Sequence, residues 1–222
     1  MIYLALLLGC DAGGSITVPG GDSATTVDTD TDEPTDSDTD SDDPTTTDTA
    51  PPIIVTDRVV VEGATWRYSD QGPLPPEWKD ATYDDSGWAS GPAPLGYGDN
   101  HIVTQVDFGN DPDDKRRTTY FRHSFEITNE ALSADIGLMR DDGAVVYFNG
   151  VEVARDNLPE DDINFDTRAL SDNFEELTYY AFNVDEDQLV VGTNVVAVEV
   201  HQATRDSSDQ SLDLWLEITR EE

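Results

Sequence analysis

Cysteine is almost absent from this chain. Among its 222 residues there is one, Cys10, so no disulfide can form within the chain and no cysteine-based zinc site can be built. The three histidines, His101, His123 and His201, do not have the spacing of a metal-binding pair. Cys10 also lies outside the part of the sequence that we expect to fold.

Basic residues are scarce too. The chain has 12 Lys and Arg against 48 Asp and Glu, for a formal net charge of −36. Residues 11–50 hold 12 acidic side chains and no basic one, so residues 51–222 carry the other 36 (48 − 12) together with all 12 basic ones, a net charge of −24. Such a field repels nucleic acid and anionic membrane surfaces, and it attracts divalent cations. We therefore expect no nucleic-acid partner.

Catalytic fingerprints are missing as well. The sequence has no Gly-x-Ser-x-Gly motif, no phosphate-binding loop and no dinucleotide fingerprint. Carboxylates are so abundant that some pair of them will always suit general acid–base chemistry, and such a pair is therefore not informative. The sequence favours a protein that is not an enzyme.

Long hydrophobic runs are absent. The apolar residues 1–10 are too few to cross a bilayer, but they are typical of a signal peptide. The run ends in Leu-Leu-Gly-Cys, which resembles the lipobox of bacterial lipoproteins. The resemblance implies that residues 1–9 are a signal peptide and that Cys10 becomes the lipid-modified first residue. We expect a secreted protein held to the bacterial membrane by this lipid alone, at the outer membrane or cell surface.

Residues 10–52 have the composition of a tether. From Asp22 to Thr49 nearly every residue is Asp, Thr, Ser, Glu or Pro, which leaves too little apolar surface to offset the entropy of ordering. The Asp-Thr repeats lack the turn glycine and the distal glutamate of a calcium loop. We predict a disordered linker followed by one folded domain, residues 53–222.

Short strands dominate the remaining sequence. Asn149-Gly150 predicts a tight type I′ hairpin turn, because both residues tolerate positive φ and Val, Tyr and Phe flank them. Residues alternate between apolar and polar in Tyr120–Ile127, Asn194–Gln202 and Ser211–Thr219. Further strands are predicted at Asp57–Glu62, Thr65–Tyr68, Asp135–Arg140, Ala144–Phe148, Val151–Arg155 and Thr178–Val184, with an irregular stretch at residues 69–118 and a helical turn at residues 185–191. This pattern indicates an all-β antiparallel sandwich or barrel.

Three segments carry a family resemblance. They are Trp66–Asp99, which includes Tyr-Asp-Asp-Ser-Gly-Trp; Tyr120–Ile127; and Asp141–Gly150 together with Gly192–Gln202. Over Val59 to Ile218 the set resembles the galactose-binding-like jelly-roll module of secreted bacterial proteins, and it is similar to the sugar-binding domain of the family 2 glycoside hydrolases. The resemblance implies an antiparallel jelly-roll β-sandwich. It does not name a ligand, because the superfamily also includes protein binders and structural modules.

Asp141 and Asp142 are the candidate metal ligands. They precede an aromatic-rich strand, and this arrangement resembles the calcium-dependent sugar site of protective-antigen-type adhesin domains. Carboxylate oxygens suit Ca²⁺, and a sugar diol can complete its coordination shell. The alternative is that the two residues cap and solubilise a β-turn through bonds to their own backbone.

Aromatic residues supply the other candidates. Trp78 lies in a polar loop and is the candidate for stacking on a sugar, whereas Trp66 and Trp88 are expected in the core. Trp215 lies opposite the leucine face of the last strand, where it is either covered or exposed. Asn149, at the hairpin tip, is the fourth candidate ligand-binding residue beside Asp141, Asp142 and Trp78. We expect His123 in the core and His201 hydrogen-bonded to a neighbouring loop.

The function predicted from these features is binding without catalysis. We expect a surface lipoprotein whose β-sandwich recognises a cell-surface or extracellular glycan, with calcium as a possible cofactor. The alternative is a structural or protein-interaction module of the cell envelope that binds an envelope protein and no sugar.

Overall fold

The computed structural model describes residues 50–172 and 177–222, and within them short strands make up nearly all of the regular structure. The described residues form twelve strands: β1 Ile54–Val60, β2 Thr65–Ser69, β3 Ala89–Pro92, β4 Leu95–Tyr97, β5 Thr104–Gln105, β6 Thr118–Ile127, β7 Ala131–Asp141, β8 Gly143–Phe148, β9 Val151–Asp156, β10 Tyr180–Val184, β11 Gly192–His201 and β12 Gln210–Glu221. Two short 3₁₀ helices, Pro76–Lys79 and Glu186–Gln188, are the only helical turns in these ranges. No helix in the described part of the chain is long and apolar enough to span a membrane.

The strands form two sheets. One has the order β10-β7-β12-β4-β5 with β1 also paired to β12, and the other has the order β3-β2-β6-β11-β8-β9. Every pair is antiparallel except β4 with β5. From β6 to β12 the chain crosses repeatedly between the sheets, so that β1-β12-β7-β10 faces β6-β11-β8-β9, as in a jelly roll. The predicted antiparallel jelly-roll β-sandwich is confirmed.

The core lies between the two sheets, where the alternating strands point their apolar side chains. Leu212, Leu214 and Leu216 of β12 and Val196 and Val198 of β11 are fully buried there. Trp66 is also buried in this core, as predicted, while His123 is half-buried against its ring, with the ring centroids 5.4 Å apart. Alternation therefore predicted the inner faces of β11 and β12 correctly, whereas His123 of β6 is less buried than the core position that we expected for it.

A second apolar layer covers the outer face of the β3-β2-β6-β11-β8-β9 sheet. Its buried members are Trp78, Tyr120, Val145, Tyr147, Leu158, Ala169 and Ala197, and half-buried residues such as Trp88 pack against them. They come from the strands and from the loops around residues 73–88 and 158–169. The two loops thus shield this face of the sheet from water, and Trp88 packs here rather than in the core between the sheets.

The hairpin at Asn149-Gly150 forms as predicted. Phe148 pairs with Val151, and the two turn residues have φ of 50° and 95°. Positive φ at both positions is what a two-residue turn between right-twisted strands requires.

The irregular stretch at residues 69–118 contains regular structure that its sequence does not indicate. The strands β3, β4 and β5 and the first 3₁₀ helix lie in it. None of them is longer than four residues, so no periodicity can develop before a Gly or Pro intervenes. The predicted signal peptide, Cys10 and the tether up to residue 49 lie outside the described residues.

Candidate functional site

Three neighbouring strand ends bring distant carboxylates together. β12 pairs with both β7 and β4, with Ser211 opposite Asp141 and Gln210 opposite Tyr97. Asp141 ends β7, Asp209 directly precedes β12, and Asp99 follows β4 by two residues. Sheet register therefore places all three carboxylates at one end of the sandwich.

A glycine permits the closest approach of the two loops. Gly98 has a φ of +94°, and a Cβ atom there would lie 2.4 Å from the carbonyl oxygen of Ser208. Only glycine avoids both the unfavourable φ and this overlap. Its neighbour Asp99 consequently lies beside Asp209.

The geometry of these carboxylates is that of a candidate cation site. One carboxylate oxygen from each of Asp99, Asp141 and Asp209 lies within 4.8 Å of the other two, so the group can hold a metal ion. Asp141 is 3% exposed. Among the described residues, its Oδ1 atom, the Oδ2 atom of Asp99 and the hydroxyl of Tyr97 are buried without a hydrogen-bond partner. Buried polar atoms of this kind usually have partners, so these three require an explanation.

Electrostatics at the cluster favour a bound positive charge. Burial, followed by the charges of Asp142 and Asp209, raises the pKa of Asp141 to about 9. Burial also raises the pKa of Asp142, and burial together with the charge of Asp141 raises that of the Tyr97 hydroxyl. A divalent cation would reverse this balance, because it stabilises the charged carboxylates that burial disfavours.

Asp141 and Asp142 make different contacts at this site. The Asp142 side chain is 2% exposed and accepts a hydrogen bond from the Ala203 backbone N–H at 2.8 Å. Only Asp141 of the predicted pair belongs to the convergent group. Neither residue is exposed at a rim. Both line a polar cavity of about 350 Å³, with Asp172, Thr204, Asp206, Ser207, Ser208 and Asp209.

Trp78 and Asn149 lie away from this cavity. The Trp78 side chain is 5% exposed and packs on Tyr120 and Tyr147, at ring-centroid distances of 4.7 and 5.8 Å. It lines a separate cavity of about 330 Å³. The Asn149 amide donates to the Gln188 carbonyl at 2.8 Å and to Asn194 Oδ1 at 2.9 Å, and its oxygen accepts from the Val195 N–H at 3.0 Å. Asn149 therefore holds the hairpin against β11, and the structure does not bring it to either cavity.

The remaining sequence candidates have packing roles. The Trp215 ring is half-buried, with the Arg58 guanidinium 4.2 Å from its centroid. His201 is fully buried and its Nδ1 lies 3.0 Å from the Thr167 carbonyl of the neighbouring loop, as predicted.

Sequence reasoning missed Asp99 and Asp209. Acidic residues are abundant throughout the chain, and neither of these two lies in a recognisable metal-binding motif. The only signal is the pairing of β4, β12 and β7, which is a property of the sheet and not of any short segment.

Comparison with known proteins extends the fold assignment. No family model and no curated protein matches the sequence. Among solved structures, a Bacteroides uniformis β-glucuronidase aligns with a TM-score of 0.50 at 19% identity over 75% of this chain. B. uniformis β-glucuronidase 2, covalently bound to cyclophellitol-6-carboxylate aziridine, aligns with a TM-score of 0.50 at 20% identity over 75% of this chain.

These alignments concern one part of each enzyme. The match covers 18% of either β-glucuronidase chain. At this level of identity the similarity shows the fold alone: this chain has a β-sandwich like a segment of those enzymes.

Proposed function

We propose that this domain is a non-catalytic carbohydrate-binding module that uses calcium at the Asp99–Asp141–Asp209 cluster. The observation that carries the proposal is the convergence of three carboxylates around a buried, unpartnered Asp141 oxygen that borders a polar cavity. The fold supports it, because the β-sandwich resembles segments of enzymes that are named for acting on glucuronides.

The chemistry of the cluster fits Ca²⁺. This ion takes six to eight oxygen ligands at roughly 2.3–2.6 Å in flexible geometry, and carboxylates are its usual protein ligands. Asp99, Asp141 and Asp209 would supply three, and the cavity leaves room for further oxygens. When bound, the ion would offer its open positions to a sugar diol. Around it, the hydroxyls of Thr204, Ser207 and Ser208 would bind and orient the sugar.

The cellular setting is part of the same proposal. A lipid on Cys10 would hold the protein at the outer membrane or cell surface, and the acidic segment of residues 10–52 would carry the domain away from it. The partner would then be a glycan at the cell surface or outside the cell. That the sandwich corresponds to only 18% of the similar enzymes supports a role without catalysis.

A second candidate function is a structural or protein-interaction module of the envelope. The observation that favours it is the burial of Trp78, which leaves 5% of that residue exposed for stacking on a sugar at the surface.

A glycan array probed with the purified protein in millimolar calcium and again in chelator tests the proposal. We expect glycan binding in calcium and its loss in Asp141→Asn and Asp209→Asn variants. Exposed Asp161→Asn is the matched control and should bind like the wild type. An array with no binding in either condition would favour the structural module.

A further inference from the structure

The cavity lined by Trp78 adjoins a second one. The first, of about 330 Å³, is lined by Trp78, Tyr120 and Glu199 among others. The second, of about 530 Å³, reaches to Gly150 at the hairpin. Four residues line both: Pro76, Lys79, Tyr147 and Ile163. The two cavities therefore adjoin on the outer face of the β3-β2-β6-β11-β8-β9 sheet, and together they are here called the sheet-face groove.

Aromatic rings give the groove rigid walls. Trp78 meets Tyr147 edge to face at an interplanar angle of 87°, and it packs on Tyr120 at 57°. All three side chains are at most 5% exposed, so their rings are held by neighbours on nearly every side. Rings fixed in this way form a rigid floor, and the half-buried side chains of Ile163 and Phe165 supply accessible apolar surface beside it.

Polar groups are placed among these rings. Glu199 is 5% exposed, accepts a hydrogen bond of 2.7 Å from the Tyr147 hydroxyl, and has its other oxygen 3.2 Å from His201 Nε2. The Lys79 ammonium lies 4.6 Å from the centroid of the Tyr147 ring. Exposed Asn164 borders the same end. The groove thus presents both acceptors and donors beside apolar walls.

The other end of the groove is more polar. Glu152 and Asp162 line it, as does Arg155, which donates two hydrogen bonds of 2.8 and 2.7 Å to Glu152. Each cavity falls within the range of about 300–1,000 Å³ that is usual for small-molecule ligands.

This combination of groups matches an uncharged sugar chain. A pyranose ring has apolar C–H faces that pack on aromatic rings and hydroxyls that bond to carboxylate, ammonium and amide groups. The net charge of −24 on residues 51–222 opposes an anionic polysaccharide. Two adjoining cavities of about 330 and 530 Å³ leave room for two consecutive sugar units.

We propose that the sheet-face groove binds an uncharged oligosaccharide without calcium, at a site separate from the Asp99–Asp141–Asp209 cluster. The inference rests on the proposed function, since it adds a second saccharide site to a carbohydrate-binding domain. Glu199 and Lys79 would bond to sugar hydroxyls, and the half-buried side chains of Ile163 and Phe165 would pack on the sugar faces.

Calorimetric titration in chelator tests this proposal. The probes are uncharged tetrasaccharides built from glucose, mannose, galactose or xylose. We expect one of them to bind the wild type in chelator, and Lys79→Ala and Glu199→Gln each to weaken its binding about tenfold through a lost hydrogen bond to a charged group. Glu77→Gln is the matched control. It changes an exposed carboxylate in the same 3₁₀ helix that lines neither cavity, and it should bind like the wild type.

Other outcomes separate this proposal from the proposed function. Absence of binding in chelator, or binding that neither groove variant weakens, would overturn the groove. If a probe binds in calcium but not in chelator, and Asp141→Asn abolishes that binding, the proposed function is supported although the groove is not. No binding under either condition would overturn the groove, and the glycan array would then decide on the calcium site alone. Asn164→Ala, at an exposed position on the groove wall, provides a further variant if Glu199→Gln fails to fold.

Discussion

At the scale of single residues, the Asp141 carboxyl group is held in a setting that opposes its charge. The side chain is 3% exposed, and Asp142 and Asp209 lie close to it. Burial and these two charges raise its pKa from the ordinary 3.8 to about 9. Without a cation, the folded protein binds a proton at this group across a wide pH range in which the unfolded chain does not.

The first prediction concerns the pH dependence of stability. Because the folded pKa of Asp141 lies above the unfolded one, its contribution is fully present below about pH 4 and is lost as pH rises toward about 9. In chelator, the melting temperature of the wild type should fall between about pH 5 and about pH 8 more steeply than that of Asp141→Asn. Differential scanning fluorimetry measures both slopes. Equal slopes would contradict the raised pKa.

Calcium should remove much of the difference in pH dependence between the melting temperatures of the wild type and Asp141→Asn. Ion binding requires the charged carboxylate, so calcium should raise the melting temperature of the wild type more at the higher pH. The Asp141→Asn variant is the control and should respond little to calcium at either pH.

At the scale of elements, the β8–β9 hairpin is attached to β11 through one side chain. Asn149 has a φ of 50° and its amide bonds to Gln188, Asn194 and Val195. Asn149 therefore has two roles: it tolerates the positive φ that the turn requires, and its side-chain hydrogen bonds fix the hairpin in the tertiary structure.

The second prediction is that Asn149→Ala lowers stability and leaves binding unchanged. Losing three hydrogen bonds and a residue suited to positive φ should reduce the free energy of unfolding by about 2–3 kcal/mol. Urea denaturation measures this loss, and exposed Asn110→Ala should show almost none. A variant that is fully stable but binds saccharide weakly would contradict this prediction and support Asn149 as a ligand-binding residue.

The packing of β7 against β12 depends on the absence of a side chain. A Cβ atom at Gly137 would lie 2.1 Å from atoms of the Trp215 ring, which covers this position beneath Arg58. Trp215 can lie flat on the sheet only because its cross-strand neighbour is glycine.

The third prediction is that Gly137→Ala destabilises the domain by about 2 kcal/mol, because Trp215 must move out of its position. The matched control is Gly87→Ala, where an added Cβ atom meets nothing within 4 Å. Thermal unfolding of the two variants compares them directly, and similar melting temperatures would show that the ring moves at little cost.

At the scale of the whole molecule, negative charge dominates. Residues 51–222 carry 36 acidic side chains against 12 basic ones. Repulsion among them opposes folding and keeps anionic partners away. Ion pairs such as Arg140 with Asp156 relieve only part of it.

The fourth prediction is that monovalent salt stabilises the protein. Raising the ionic strength from about 0.02 M to about 0.5 M shortens the screening length well below 10 Å, which should weaken the repulsion and raise the melting temperature. Sodium and potassium chloride should act equally, because screening does not depend on the identity of the cation. A melting temperature that falls with salt would mean that ion pairs outweigh the repulsion.

The fold was largely predictable from the sequence because its signals are local. The alternation in Ser211–Thr219 and Asn194–Gln202 is a property of neighbouring residues, and each strand formed with its apolar face inward. The Asn149-Gly150 turn needs only two residues in sequence. The short strands at residues 89–105 gave no such signal.

The sequence by itself determined the class of fold, the inner and outer faces of its alternating strands, and the negative charge that opposes binding to nucleic acid. Tertiary structure decided the candidate site. Asp99, Asp141 and Asp209 are distant in the chain, and only the pairing of β4 and β7 with β12 brings their carboxylates within 4.8 Å of one another. It also decided that Trp78 lies beneath the loops and lines a groove, because loop packing depends on long-range contacts that no local pattern encodes.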